Sequence, residues 1–148
     1  MALQFGSYEF QVSISNGQHF IFDIVRMKKV RLTPEESVRQ TVIQFFIHDL
    51  KFPASYISVE KSLEVNGLLK RTDIVVYNKD LRPSILVECK EPEVHLDEGV
   101  AKQAATYNMT LQAPWLLITN GRDIQLFEID HKKKESHPAD NFPSFDDL

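Results

Sequence analysis

The sequence predicts an α/β (α+β) domain, a β-hairpin followed by elements in the order α-β-β-β-α-β-β. Three observations carry this. Asn16-Gly17 stands between two alternating apolar runs near the N-terminus. Apolar residues recur at helical spacing in two stretches, 33–50 and 96–112. Between and after those stretches they recur at period two or in short continuous runs. With 148 residues, 43% of them hydrophobic, the chain is long enough for one domain with its own core. The expected organisation is a single domain over residues 1–130, with the hairpin at about 8–26 and the core at about 33–130. Residues 131–148 are expected to form a polar tail or linker.

The hairpin rests on FQVSISNGQHFIFDIV, because both residues of an Asn-Gly turn tolerate positive φ. Thr33, Pro34 and Glu36 mark a helix start: an N-cap threonine, a proline at the first helical position and a carboxylate at the capping-box position. That helix should run to about Leu50, with Val38, Val42, Ile43, Phe46, Ile47 and Leu50 on its apolar face. Arg39 projects from the middle of that face, and a buried arginine needs a partner. Ile57, Val59, Leu63 and Val65 form one strand, and the run from Asn66-Gly67 into Asp73 and beyond a second. Residues 84–90 form a third. Leu96, Val100, Ala104, Tyr107 and Leu111 line one face of the second helix. PWLLIT and DIQLFEID then form two strands joined through Asn120-Gly121-Arg122. The last segment, HKKKESHPADNFPSFDDL, is polar and carries two prolines, which reads as a loose end.

Composition excludes several classes. No run reaches the ~18 apolar residues of a membrane span, and MALQFGSYEF lacks the basic start and apolar core of a secretion signal. The expectation is a soluble, cytoplasmic protein with no membrane partner. One cysteine, Cys89, makes no internal disulfide and no thiolate zinc cluster. The net charge of -4 announces no nucleic-acid binder, although basic clusters occur at 26–31, 70–71 and 132–134.

The informative stretch is RTDIVVYNKDLRPSILVECK, residues 71–90, where two apolar strands each carry an acid. With Asn78 to Pro83 as the turn, Tyr77 pairs with Ser84 and Asp73 falls opposite Glu88. Opposed like charges cost a few tenths to ~1 kcal/mol even when exposed, and a bound cation removes that cost. Period two puts Lys90 beside Glu88 and turns Cys89 away. Carboxylates without histidine or thiolate suit Mg²⁺ or Mn²⁺. An ion held there polarises a phosphodiester and makes a water more acidic, and a lysine orients that water or meets developing charge. Taken alone, the same triplet is an ordinary surface salt bridge.

The pattern is not alone. The order of elements, with Thr72-Asp73 opening one strand and Glu88-Cys89-Lys90 in the next, resembles the PD-(D/E)xK nuclease superfamily and its restriction-endonuclease-like core, a mixed central sheet in the order α-β-β-β-α-β. Threonine stands where proline is common. More closely, LTPEESVRQ, RTDIVVYN, ILVECKEP, QAATYN and TNG resemble the N-terminal nuclease domain of the restriction subunit of type I restriction enzymes, over roughly residues 20–130. The resemblance implies Asp73 and Glu88 as Mg²⁺ (or Mn²⁺) ligands with the backbone carbonyl of Cys89, and Lys90 as the catalytic lysine. It implies Gln103 and Tyr107, spaced Q-x-x-x-Y, as nucleic-acid contacts, although tyrosine on an apolar helix face also reads as core. Glu35 or Glu36 matches an accessory acid that some relatives supply from the first helix; Glu36 is equally explained by capping.

The leading expectation is therefore a Mg²⁺-dependent DNA endonuclease domain. Its implied partners are DNA, an ATP-driven translocase, and specificity and methylation subunits, since the chain has no Walker A sequence. Two alternatives stand beside it. One is a catalytically silent nuclease fold serving DNA binding or assembly. The other is a stand-alone resolvase-like repair nuclease, for which a homodimer is expected. Five scattered histidines and the absence of a nucleophile elbow give other chemistries no support.

Overall fold

Asn16 and Gly17, at φ 51° and 75°, turn β1 (Val12–Ser15) into β2 (Gln18–Asp23). This is the N-terminal hairpin at the expected place. Within the basic run 26–31, Arg26 and Met27 belong to a turn and Lys28–Arg31 forms β3, antiparallel to β2, making a three-stranded sheet. Only Val30 of β3 is apolar, so alternation gives this strand no signal. The computed structural model of the chain describes residues 3–148.

Helix α1 (Pro34–Gln44) begins as its sequence dictates, with Thr33 Oγ1 accepting the Glu36 N–H at 3.0 Å. The reciprocal capping-box bond is absent among the described residues, because the Glu36 carboxylate turns to two arginines instead. The helical stretch continues to Asp49 as a π-helical turn, Phe45–Asp49. Val38, Val42, Ile43 and Phe46 are buried; Ile47 and Leu50 are half-buried.

The next two strands are divided. β4 (Ile57–Val59) and β5 (Ser62–Val65) are separated at Glu60, whose φ of 55° interrupts the extended chain. β6 (Leu68–Arg71) and β7 (Ile74–Tyr77) are separated at Thr72-Asp73. The Glu60 N–H to Asp73 O bond and the Thr72 N–H to Lys61 O bond link the two breaks. One long bent hairpin results. Its inner half, β4 and β7, joins the central sheet; its outer half, β5 and β6, is a separate two-stranded ribbon turned at Asn66-Gly67.

β8 (Pro83–Cys89), α2 (Glu98–Leu111), β9 (Trp115–Thr119) and β10 (Ile124–Asp130) follow close to the expected bounds. Asp97 caps α2, its Oδ1 accepting the Val100 N–H at 3.0 Å, and Gln112 ends it in the left-handed region at φ 61°. The chain end differs from expectation. Glu135–Pro138 forms β11, antiparallel to β10, and Phe142 and Phe145 pack on the core, 5.1 Å from Phe45 and 6.0 Å from Phe52 between ring centroids. Average polarity hides two aromatics spaced to reach one cluster, so residues 131–148 are part of the fold and not a loose tail.

The central sheet is mixed and six-stranded, in the order β11-β10-β9-β8-β7-β4, with β8 and β9 the parallel pair. Helix α1 covers one face, over Ile74, Val76, Ile85, Val87 and Leu117. Helix α2 covers the other, over Val75, Leu86, Leu116 and Ile118. Burial on both faces explains why β7, β8 and β9 read as continuous apolar runs.

Candidate active site

β7 and β8 pair as Ile74 with Val87, Val75 with Leu86 and Val76 with Ile85. Carried one step further, this register sets Asp73 opposite Glu88, as expected. The connecting turn is one residue shorter than the expected 78–83. Tyr77 pairs with Pro83, not Ser84, and a bulge after Val76 absorbs the difference.

Both acids are largely buried at the end of this strand pair, with side-chain exposures of 10% for Asp73 and 15% for Glu88. Asp73 Oδ2 accepts the Cys89 N–H at 2.8 Å, and Asp73 Oδ1 accepts from Arg39 Nη2 at 2.7 Å. Lys90 Nζ lies 3.2 Å from Glu88 Oε1, so the two residues share a side as period two requires. The Cys89 side chain packs instead among the α1-side core residues; burial, and then the charge of Asp73, raise its thiol pKa well above the ordinary value. Burial first, and Asp73 second, push the Glu88 carboxyl up to about 7. Burial opposes the charge on Lys90, but the acids around it, Glu88 first and then Asp73 and Glu35, together outweigh it and raise the lysine.

Arg39 has the partner its burial demanded, and that partner is Asp73. Burial disfavours its charge; the Asp73 hydrogen bond and the charges of Asp73 and Glu36 more than offset this and raise its pKa. Around it lies a charge network that sequence reasoning missed. Arg26 reaches Asp23 at 2.6 Å and Glu36 at 2.8 Å; Arg39 reaches Glu36 at 2.9 Å and Glu35 at 3.1 Å. Glu60 lies 3.4 Å from both arginines. Gln40 Nε2 donates to Asp23 Oδ2 at 2.9 Å. The fully buried Asp23 is held below its usual pKa because hydrogen bonds from the Arg26 backbone N–H, the Arg26 and Gln40 side chains and the Val25 N–H together outweigh burial. The signal available was Asp23 alone, an acid inside an apolar strand.

The two α1 glutamates differ. Glu36 is buried and accepts from Arg26, Arg39 and Gln40. Glu35 is exposed enough to meet solvent, and its carboxyl is raised by burial and then by Asp73, against Arg39 and Lys90. Gln103 is exposed on α2, whereas Tyr107 is half-buried against the α2-side core. Among the described residues neither makes a side-chain hydrogen bond to the acids.

Among the described residues no three of histidine, cysteine, aspartate and glutamate gather with metal-holding geometry. What the site offers a cation is two carboxylates, plus any backbone carbonyl at the strand end. With the Cys89 thiol turned into the core, that donor set is all oxygen, which fits a hard divalent ion completed by water and substrate oxygens.

A mixed α/β sheet with α1 and α2 on opposite faces, and an acid pair and a lysine at one strand end, is the architecture these residues define. The chain belongs to the family of type I restriction enzyme R protein N termini, whose model matches residues 34–143. Among solved structures it is similar to a fragment assigned to an HsdR subunit of a type I restriction enzyme from Vibrio vulnificus YJ016, with a TM-score of 0.56 and 22% identity. That likeness bears on the fold, and covers 79% of this chain and 24% of the other, so the chain spans about a quarter of that relative's length. No curated protein matches the chain. No described helix is long and apolar enough to cross a membrane.

Proposed function

We propose that this domain hydrolyses DNA phosphodiester bonds with Mg²⁺ or Mn²⁺, as the nuclease module of a type I restriction enzyme R subunit and in the manner of PD-(D/E)xK enzymes. The observation that carries the reading is the contact of Lys90 with Glu88 at 3.2 Å, one strand away from an Asp73 fixed by the Cys89 N–H. Asp73 and Glu88 hold the ion, with the backbone carbonyl of Cys89. Bound there, the ion supplies charge stabilisation for the phosphoryl oxygens and the leaving group. Lys90, raised and therefore protonated, places a positive charge at the reacting phosphate and orients the attacking water. Arg39 positions Asp73. Gln103, exposed on α2, contacts the nucleic acid; Tyr107 supports that face. Of the α1 acids, Glu35 faces the charges of Asp73 and Lys90, while Glu36 is engaged by two arginines, so the accessory role falls to Glu35. DNA delivery and timing come from an ATP-driven translocase and from specificity and methylation subunits, in the same polypeptide or in partners.

Nicking of supercoiled plasmid tests this. Wild-type chain with Mg²⁺ converts the plasmid, and Lys90→Ala or Glu88→Ala lowers the rate by at least ~10²-fold with the fold retained, the scale of a lost electrostatic group. Equal nicking by both variants places the chemistry elsewhere.

A further inference from the structure

A groove of about 540 Å³ runs along α1, with β3 as one wall and Glu35, Arg39 and Glu91 among the residues opposite. It adjoins the candidate site through two of its lining residues: Arg39 bonds Asp73, and Glu91 directly follows Lys90. The floor offers no free positive charge: Arg26 and Arg39 are tied up by a surplus of acids, Asp23, Glu35, Glu36 and Glu60. The β3 wall does. Lys28, Lys29 and Arg31 are exposed, and among the described residues none has an acid within ion-pair distance. β3 is also an edge strand, so alternate backbone N–H groups face away from β2. A polyanion approaching an acid pair on a chain of net charge -4 needs local neutralisation on its path. β3 precedes the residues that the family model matches.

We propose that β3 is the strand that tracks the nucleic-acid backbone, with Lys28, Lys29 and Arg31 contacting phosphates of the duplex whose scissile bond lies at Asp73 and Glu88. This rests on the nuclease reading for the purpose of the contacts, and the test reads binding alone. The probe is a duplex of about 20 base pairs, titrated over a range of salt without divalent metal, onto Lys90→Ala chain so that nothing is cut. Lys28→Gln, Lys29→Gln and Arg31→Gln are combined in one variant. The control combines Lys132→Gln, Lys133→Gln and Lys134→Gln, which removes as much charge from the turn between β10 and β11, at the far edge of the sheet from β4.

Each neutralised phosphate contributes about 0.9 to the slope of log affinity against log salt, so the β3 variant should lose about 1–2.7 of that slope and about tenfold or more in low-salt affinity. The control should lose less than about 0.5 of the slope. An unchanged slope in the β3 variant, an equal loss in the control, or no duplex binding by the parent chain at low salt overturns the proposal. Failure of the nuclease reading shows separately, as undiminished plasmid nicking by Lys90→Ala, and leaves the binding result readable.

Discussion

Arg39 and Asp73 form a buried ion pair, Nη2 to Oδ1 at 2.7 Å, that joins helix α1 to the strand end where Glu88 and Lys90 meet. The opposed acids therefore do not bear their repulsion uncompensated. Arg39 neutralises one of them from the other layer, and Glu88 carries the raised pKa, from burial first and the charge of Asp73 second, with Lys90 acting against both. Breaking a buried pair leaves a charge without its partner, which costs about 3–5 kcal/mol for an isolated pair. Here Arg39 keeps Glu36. Asp73→Asn is expected to destabilise the metal-free protein by about 1–3 kcal/mol, and Arg39→Gln by at least as much. In the double variant the losses should fall short of additivity by ~1 kcal/mol or more. Denaturant unfolding of the four proteins measures this; strict additivity would mean the pair is not coupled.

The raised Glu88 carboxyl makes stability depend on pH in a definite direction. Its ordinary value is 4.5, and in the folded chain it rises to about 7. Between those values the folded chain holds a proton that the unfolded chain has lost, so stability falls as pH rises through the window and levels off above it. The amplitude is at most about 3–4 kcal/mol. Glu88→Gln should flatten the profile between about pH 4.5 and 7. A wild-type stability that rises across this window by the same amount would reverse the assignment.

Deletion of residues 131–148 uncovers the β10 edge and removes Phe142 and Phe145 from the aromatic cluster around Phe45 and Phe52. A loss of at least ~2 kcal/mol is expected, given about 1.5–3 kcal/mol for each large apolar side chain fully buried and only partial burial here. Unfolding of full and truncated chains gives the value; equal midpoints would mean that the end is dispensable.

Gln103→Ala should leave the melting temperature within the range of a neutral surface change, about 0.5 kcal/mol, while weakening cleavage and DNA affinity. Tyr107→Ala should lower stability as well, because the ring packs against the α2-side core. Equal effects of the two substitutions on stability would remove the distinction between a contact residue and a packing residue.

Much of this was legible in sequence because the physics is local. Asn-Gly turns, the Thr33 cap and the apolar runs of β7, β8 and β9 place the sheet, α1 and the opposed acids from spacing alone. What escaped was set by tertiary contact. Nothing in KKVR distinguishes a strand from a solvated basic loop until β2 pairs with it. Glu60 breaks its strand in a left-handed conformation that no period-two count foresees, and its carboxylate joins Arg26 and Arg39. Arg39 was visibly in need of an acid, but pairing it with Asp73 requires knowing how α1 lies on the sheet.

Magnesium-linked melting puts the acid pair itself to the test, without substrate. For a site with Kd near ~1 mM, ~10 mM Mg²⁺ stabilises the wild type by about 1.4 kcal/mol, a shift of roughly 2–6 °C in Tm for a domain of this size. The increment is read within each protein at constant ionic strength, so the separate loss of the Arg39 pair does not enter it. Wild type should show the shift, and Glu88→Gln and Asp73→Asn should show almost none. The same magnesium increment in all three proteins would contradict a cation site at Asp73 and Glu88.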